Sequence, residues 1–229
     1  HLLERELGWE VAYAYNTEKL GKDGTFGRTS YHEILLTRYF RQALQRLNPW
    51  LTSAQMDEAQ KKMAAHLSTA SLMQINEEKY ALIRDGIPVT LKRPGGKTEE
   101  KRAQVIDFQH PESNHFLAIK ELKIHGDLYR RRTDIVGFVN GIPLLFVELK
   151  KNTVDVQNAY TENYTDYLDT IPHLFYYNAF LILSNGLEAK VGTLGSKYEF
   201  FHEWKRLDEK DQGSVALETM LRGICKKEN

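Results

Sequence analysis

The stretch Arg130–Lys151, RRRTDIVGFVNGIPLLFVELKK, constrains the fold of this chain more than any other. Two apolar runs rich in β-branched residues, Ile135–Val139 and Ile142–Val147, meet through Asn140 and Gly141, a dipeptide that marks a tight hairpin turn. Asp134 opens the first run, and Glu148, Leu149 and Lys150 close the second. Side chains alternate faces along a strand, so loop length decides whether the two acids meet. A two-residue loop pairs Val139 with Ile142, sets Asp134 opposite Val147, and sends Glu148 to the other face. A three-residue loop with a G1 bulge at Gly141 pairs Phe138 with Ile142 instead. Asp134 then faces Phe146 and lies diagonal to Glu148, on the face that also carries Lys150. The three-residue loop is therefore the expectation, with the carboxylates about 5 to 8 Å apart at Cβ.

That spacing suits two carboxylates sharing one hard cation. Mg²⁺ takes oxygen ligands, keeps several waters, and is commonly held by one or two carboxylates plus substrate phosphate oxygens. Asp134, Glu148 and the Leu149 carbonyl would be its protein ligands. Lys150 would help hold a water in line for attack and would stabilise charge developing at phosphorus. This chemistry is metal-assisted hydrolysis of a phosphodiester. The same letters also describe a capped strand with solvated Glu148 and Lys150 at its end, and spacing alone leaves both readings open.

The segment RTDIVGFVNGIPLLFVELK resembles the PD-(D/E)xK nuclease motif. More narrowly, it resembles the RPDIV-FVNG-PL-IELK pattern in the N-terminal endonuclease domain of the restriction (R, motor) subunit of type I restriction-modification enzymes. Further landmarks follow in family order: Arg41–Leu51, Asp107–Leu117, Ile171–Asn178, Ser184–Gly186, Gly192 and Trp204. The likeness runs over residues 30–206. It implies an α/β fold, a PD-(D/E)xK nuclease-like mixed β-sheet flanked by helices, with a helical N-terminal region. It implies Mg²⁺-dependent cleavage of double-stranded DNA with little sequence specificity of its own. Catalysis would fall to Asp134, Glu148 and Lys150, and metal binding to Asp134, Glu148 and the Leu149 carbonyl. Arg130, Arg131, Arg132 and Lys151 flank that site as candidate DNA contacts. Thr133 stands where the family often has proline, and Asn163, four before Tyr167, stands where it usually has glutamine, one methylene longer. Related nucleases also place an acid on a helix upstream of the core, for which Glu4 and Glu6 are the local candidates.

The resemblance further implies one nuclease domain over 1–206, with a helical region at 1–88 and a catalytic core at 89–206. Residues 207–229 would begin a linker toward motor domains, to which any use of ATP belongs. Double-stranded DNA and the modification and specificity subunits would be the partners, in the cytoplasm. A stand-alone nuclease or resolvase of the same superfamily, and a non-catalytic DNA-binding assembly module, are the alternatives.

Composition bounds these readings. Thirty-one basic and 31 acidic side chains among 229 residues give no net charge, so any affinity for a polyanion must be local. The lone cysteine, Cys225, fits a reducing compartment and forms no internal disulfide. No apolar run is long enough to read as a membrane span. The eight histidines show no zinc-ligand spacing. Gly96, Lys97 and Thr98 imitate the end of a phosphate-binding loop, but Leu91 occupies the place of its first glycine, and a hairpin tip is expected there instead.

Upstream, residues 1–88 read as mostly helical. A helix is expected from Ser30, with Glu33 closing a capping box, and further helices over Ala54–His66 and Asn76–Asp85. Strands are expected at Val89–Lys92, Ala103–Phe108 and Asn114–Ile124. A helix over Val154–Leu168 puts Asn163 and Tyr167 on one face, and a second hairpin turns at Asn185 and Gly186.

Overall fold

The computed structural model describes residues 2–92, 95–204 and 216–228. A short helix α1 (Leu2–Arg5) leads into strand β1 (Glu10–Tyr13), and three helices follow: α2 (Thr37–Leu47), α3 (Ser53–Ala64) and α4 (Leu72–Asp85). Strands β2 (Ile87–Lys92) and β3 (Thr98–Ala103) form a separate hairpin. Then come β4 (Phe116–Lys120), β5 (Lys123–His125), β6 (Arg130–Arg132), β7 (Ile135–Val139) and β8 (Ile142–Leu149). A wide π-turn, Ala159–Tyr164, runs into α5 (Thr165–Thr170), followed by β9 (Phe180–Ser184), β10 (Ala189–Gly192) and α6 (Ala216–Ile224).

The central sheet has the order β1-β4-β7-β8-β9-β10. Pairing is parallel for β1 with β4 and for β8 with β9, and antiparallel elsewhere, so the molecule is a mixed α/β sheet flanked by helices. Strand alternation sorts the apolar residues by face. Leu117, Ile119, Val136, Phe138, Phe146, Leu181 and Leu183 join the larger core with α2, the π-turn and α5. Ala118, Leu145, Val147 and Ile182 face a smaller core with Trp9 and Met220 of α6, and the Trp9 indole N–H donates to the Cys225 carbonyl at 2.9 Å. Residues 216–228 thus pack on the sheet, whereas residues 205–215 lie outside the described residues.

The hairpin turns by a different route from the one expected. Val139 pairs with Ile142, and Asn140 (φ 50°) and Gly141 (φ 80°) both have positive φ, the signature of a two-residue type I′ turn. The bulge sits further along. Register shifts between Gly137 and Phe138, where Leu144 is the extra residue on β8, beside Pro143, which has no N–H to give a ladder. The shift carries Val136 onto Phe146 and Ile135 onto Val147, so Asp134 continues the register opposite Glu148. The three-residue loop is wrong; its consequence, both acids on one face, holds because the bulge supplies the missing residue.

Asn140 explains why the turn is so tightly held. Its side chain is fully buried, donates to the Val105 carbonyl (2.9 Å) and Asn114 Oδ1 (2.8 Å), and accepts from Arg46 (3.0 Å) and the His115 N–H (2.9 Å). Asn140→Ala should therefore cost about 2–4 kcal/mol, because several buried partners lose their bonds and alanine resists this φ. Denaturant unfolding measures it; a loss below about 1 kcal/mol would show that the network contributes little.

Two upstream expectations fail. The helix begins at Thr37, not Ser30, and the Glu33 carboxylate accepts from the Thr29 N–H (3.2 Å) and hydroxyl, closing a turn. Arg28, fully buried, holds the segment by pairing with Glu18 (2.7 and 2.8 Å) and donating to the carbonyls of Glu33 and Lys123. Also, β1 lies within the region expected to be helical and forms the sheet's edge. Among the described residues, capping boxes form at Thr52 with Gln55 and at Ser71 with Gln74, at the starts of α3 and α4.

Candidate active site

One end of the sheet gathers the candidate residues. Between β4 and β7 the chain leaves the sheet as a two-stranded ribbon, β5–β6, and returns at Thr133 and Asp134. Asp134 stands at the neck of this ribbon. Its carboxylate accepts the Leu149 N–H at 2.7 Å, which ties the entry of β7 to the exit of β8. In a strand the N–H and C=O of one residue point the same way, which puts the Leu149 carbonyl on the β7 side of β8.

Glu148 is only 3% exposed, and its Oε2 has no hydrogen-bond partner among the described residues. Burial, then the nearby Asp134 charge, push its pKa up to about 8, with Lys150 opposing. Asp134 is raised too, chiefly by burial and partly offset by the Leu149 N–H. Lys150 Nζ donates to Glu162 Oε2 at 2.7 Å, and Glu162 also accepts from Asn158 at 2.9 Å. Glu162 lies on the π-turn, a feature often found at functional sites, and sequence spacing gave no sign of it.

The predicted Asn163–Tyr167 pair also reaches this end. The Tyr167 hydroxyl donates to the Arg132 carbonyl at 3.1 Å, linking α5 to the ribbon, and Asn163 is near enough to oppose the rise in the tyrosine's pKa. Tyr167 is buried edge-on against Phe146, and burial raises its pKa, with Glu148 the next cause. Asn163 Oδ1 is another enclosed acceptor without a partner among the described residues.

The flanking cations divide by environment. Arg131 is engaged by Asp166 in a two-pronged pair (2.5 and 2.8 Å), which raises the arginine and lowers the aspartate. The pair ties the ribbon to α5. Arg132 lies over the Tyr15 ring at 4.6 Å, Lys123 is 5.4 Å from the same ring, and Arg130 and Lys151 are exposed. Glu4 and Glu6 lie before β1, whose other end, Tyr13, pairs with Lys120 beside the site; Glu6 instead bonds Arg222 at 3.0 Å.

The family model for the type I restriction enzyme R protein N terminus matches residues 1–200. The chain belongs to that family. It is 32% identical over 98% of its length to the type I restriction enzyme HindI endonuclease subunit of Haemophilus influenzae, covering 22% of that relative. It is 26% identical over 88% of its length to a Methanocaldococcus jannaschii protein provisionally named as the MjaIXP endonuclease subunit, covering 21% of it. The type I restriction enzyme SsaAORF53P endonuclease subunit of Staphylococcus saprophyticus matches 63% of the chain at 26% identity. The chain thus spans about a fifth of the length of the first two curated relatives. No helix among the described residues is long and apolar enough to cross a membrane.

The donor set fits a hard divalent cation. Two carboxylates and a carbonyl are hard oxygen donors, and Glu148 Oε2 is an enclosed acceptor with an unmet need for positive charge or a donor. A testable consequence concerns pH. Glu148 binds a proton more tightly folded than unfolded, so its contribution to stability is fully present below about pH 4.5 and is lost as pH rises through about 8. The metal-free protein should lose up to about 4 kcal/mol across that window. Glu148→Gln should flatten the slope, and Mg²⁺ should restore stability most at the alkaline end. Thermal unfolding from pH 5 to 8.5, with and without Mg²⁺, checks this; a flat metal-free profile would contradict a raised Glu148.

Proposed function

We propose that this chain is the DNA-cleaving part of a type I restriction enzyme R subunit, hydrolysing phosphodiesters of double-stranded DNA with Mg²⁺. The observation that carries the reading is buried Glu148, its Oε2 without a partner among the described residues, set beside Asp134 by the bulged hairpin, with Lys150 two residues on. Asp134, Glu148 and the Leu149 carbonyl would hold the cation. When bound, it would polarise the scissile phosphate and favour deprotonation of the attacking water. Lys150, released from Glu162 as phosphate approaches, orients that water and offsets charge growing on the phosphoryl oxygens. The Leu149 N–H fixes the Asp134 carboxylate, so little reorganisation is left for the reaction itself.

Arg130, Arg132, Lys123 and Lys151 are suited to backbone phosphates, which positions DNA without reading its sequence. Tyr167 would tie the ribbon neck to α5, with Asn163 one turn before it on the π-turn. Residues 1–206 would form one nuclease unit, and α6, which packs on its sheet, would belong with it. Site recognition would belong to modification and specificity subunits, ATP to motor domains, and the assembly would act in the cytoplasm.

The assembled enzyme, supplied with ATP and Mg²⁺, should convert supercoiled plasmid carrying its recognition site to nicked and linear forms. Intact plasmid despite continuing ATP hydrolysis would overturn the reading.

A further inference from the structure

The neck of the ribbon holds another acid. Glu121 directly follows β4 and lies across the neck from Asp134, its N–H donating to the Asp134 carbonyl at 2.9 Å. One step further out, the Thr133 N–H donates to the Leu122 carbonyl at 3.0 Å. Glu121 adopts a φ of 54°, in the left-handed region; apart from Asn140, it is the one non-glycine residue there among those described. Asparagine tolerates that region, whereas glutamate has no local reason to occupy it. A glycine would serve the bend better, which draws attention to the side chain. Strain of this kind persists where surrounding structure enforces it, commonly at functional sites.

One oxygen of the Glu121 carboxylate is left unsatisfied among the described residues. Oε2 is enclosed and has no hydrogen-bond partner among the described residues, and the carboxylate raises the pKa of nearby Tyr13. Its charge reaches Asp134, whose pKa it raises. Independently, Glu148, 3% exposed, presents its own enclosed and unpartnered Oε2 at this end of the sheet. Unpaired buried acceptors of this kind ask for a cation or for donors such as ordered water. No three His, Cys, Asp or Glu side chains among the described residues are grouped to hold a metal ion directly, so a cage of three carboxylates is not what the geometry offers.

The geometry points to Glu121 as the third acid of the site, a positioning residue that accepts hydrogen bonds from the water shell of a divalent cation held by Asp134 and Glu148. The inference rests on the cation site proposed above. Mg²⁺ and Mn²⁺ bound by two carboxylates retain waters whose protons need acceptors, and partners beyond the direct ligands commonly change metal affinity about 10- to 100-fold.

Mn²⁺ titration of the full-length protein without ATP, followed by the EPR signal of the free ion, tests it. Wild type, Asp134→Ala, Glu121→Gln and Glu121→Gly are compared. Asp134→Ala should remove one Mn²⁺ site, and Glu121→Gln should weaken that same site at least about tenfold. Glu121→Gly should weaken it equally while leaving the metal-free melting temperature unchanged or higher, since glycine suits the backbone there. Should glycine unfold the chain, the isosteric glutamine variant decides. Wild-type affinity, within about twofold, in both Glu121 variants while Asp134→Ala loses the site would overturn the role of Glu121 and leave the cation site standing. If no Mn²⁺ site depends on Asp134, the cation site itself falls, and this inference with it.

Discussion

Asp134→Ala and Glu148→Ala should each reduce plasmid cleavage by the assembled enzyme at least about 10³-fold, roughly 4 kcal/mol of transition-state stabilisation, while ATP hydrolysis continues. Removing one of two carboxylates weakens the hold on the cation and leaves Lys150 without a fixed water to orient. The two variants should differ in stability. Asp134 accepts the Leu149 N–H, so its loss costs a bond between β7 and β8. Glu148 is buried, its Oε2 has no partner among the described residues, and its pKa is pushed up to about 8, so its ionised form is costly to keep in the fold. Glu148→Ala leaves a cavity, but Glu148→Gln keeps the shape and removes the charge. The glutamine variant should therefore melt higher than wild type at pH 8 without metal, and still not cleave. A residue that destabilises the fold yet is required for turnover is held for chemistry, not packing. Cleavage within about tenfold of wild type by any of these variants would end the assignment.

How far the sequence foretells this site depends on which interactions are local. Asn140-Gly141 and the two apolar runs are local signals, and they mark the hairpin and the shared face of Asp134, Glu148 and Lys150. The route was not legible, because a type I′ turn plus a bulge and a three-residue loop give the same parity. Only Pro143, an unusual residue for an interior strand, hinted at where the ladder breaks. Strand β1 was hidden for the opposite reason. Its four residues, EVAY, carry little pattern, and they pair with Leu117–Lys120, more than a hundred positions away. The Ser30–Glu33 box obeyed its rule in letters, yet buried Arg28 draws that segment into a loop braced on Lys123. Glu162 and Glu121 escaped because their relevance comes from a π-turn and a left-handed backbone, which no spacing rule encodes. The upstream glutamates, chosen by analogy with related nucleases, lie before the wrong end of β1.

Lys150→Arg should lose cleavage about 100-fold, equivalent to about 2.7 kcal/mol, with affinity for DNA and cation nearly kept. The substitution preserves charge and changes shape. Lys150 Nζ is a compact donor whose side chain is 18% exposed, bound to one oxygen of Glu162 while Asn158 takes the other. That single bond can be exchanged for a water and a phosphate oxygen as substrate arrives. Arginine presents a planar fork matched to both carboxylate oxygens, so it would displace Asn158 and grip Glu162 in a two-pronged pair, as Arg131 grips Asp166 nearby. A guanidinium held there cannot also approach the attacking water. If Lys150 served only as positive charge beside DNA, arginine would do as well or better. The expected signature is a fall in the single-turnover cleavage rate with little change in DNA binding. Combining the change with Glu162→Gln, which weakens that grip, should recover part of the rate. Cleavage by Lys150→Arg within about threefold of wild type would move Lys150 from orienting water to contacting phosphate.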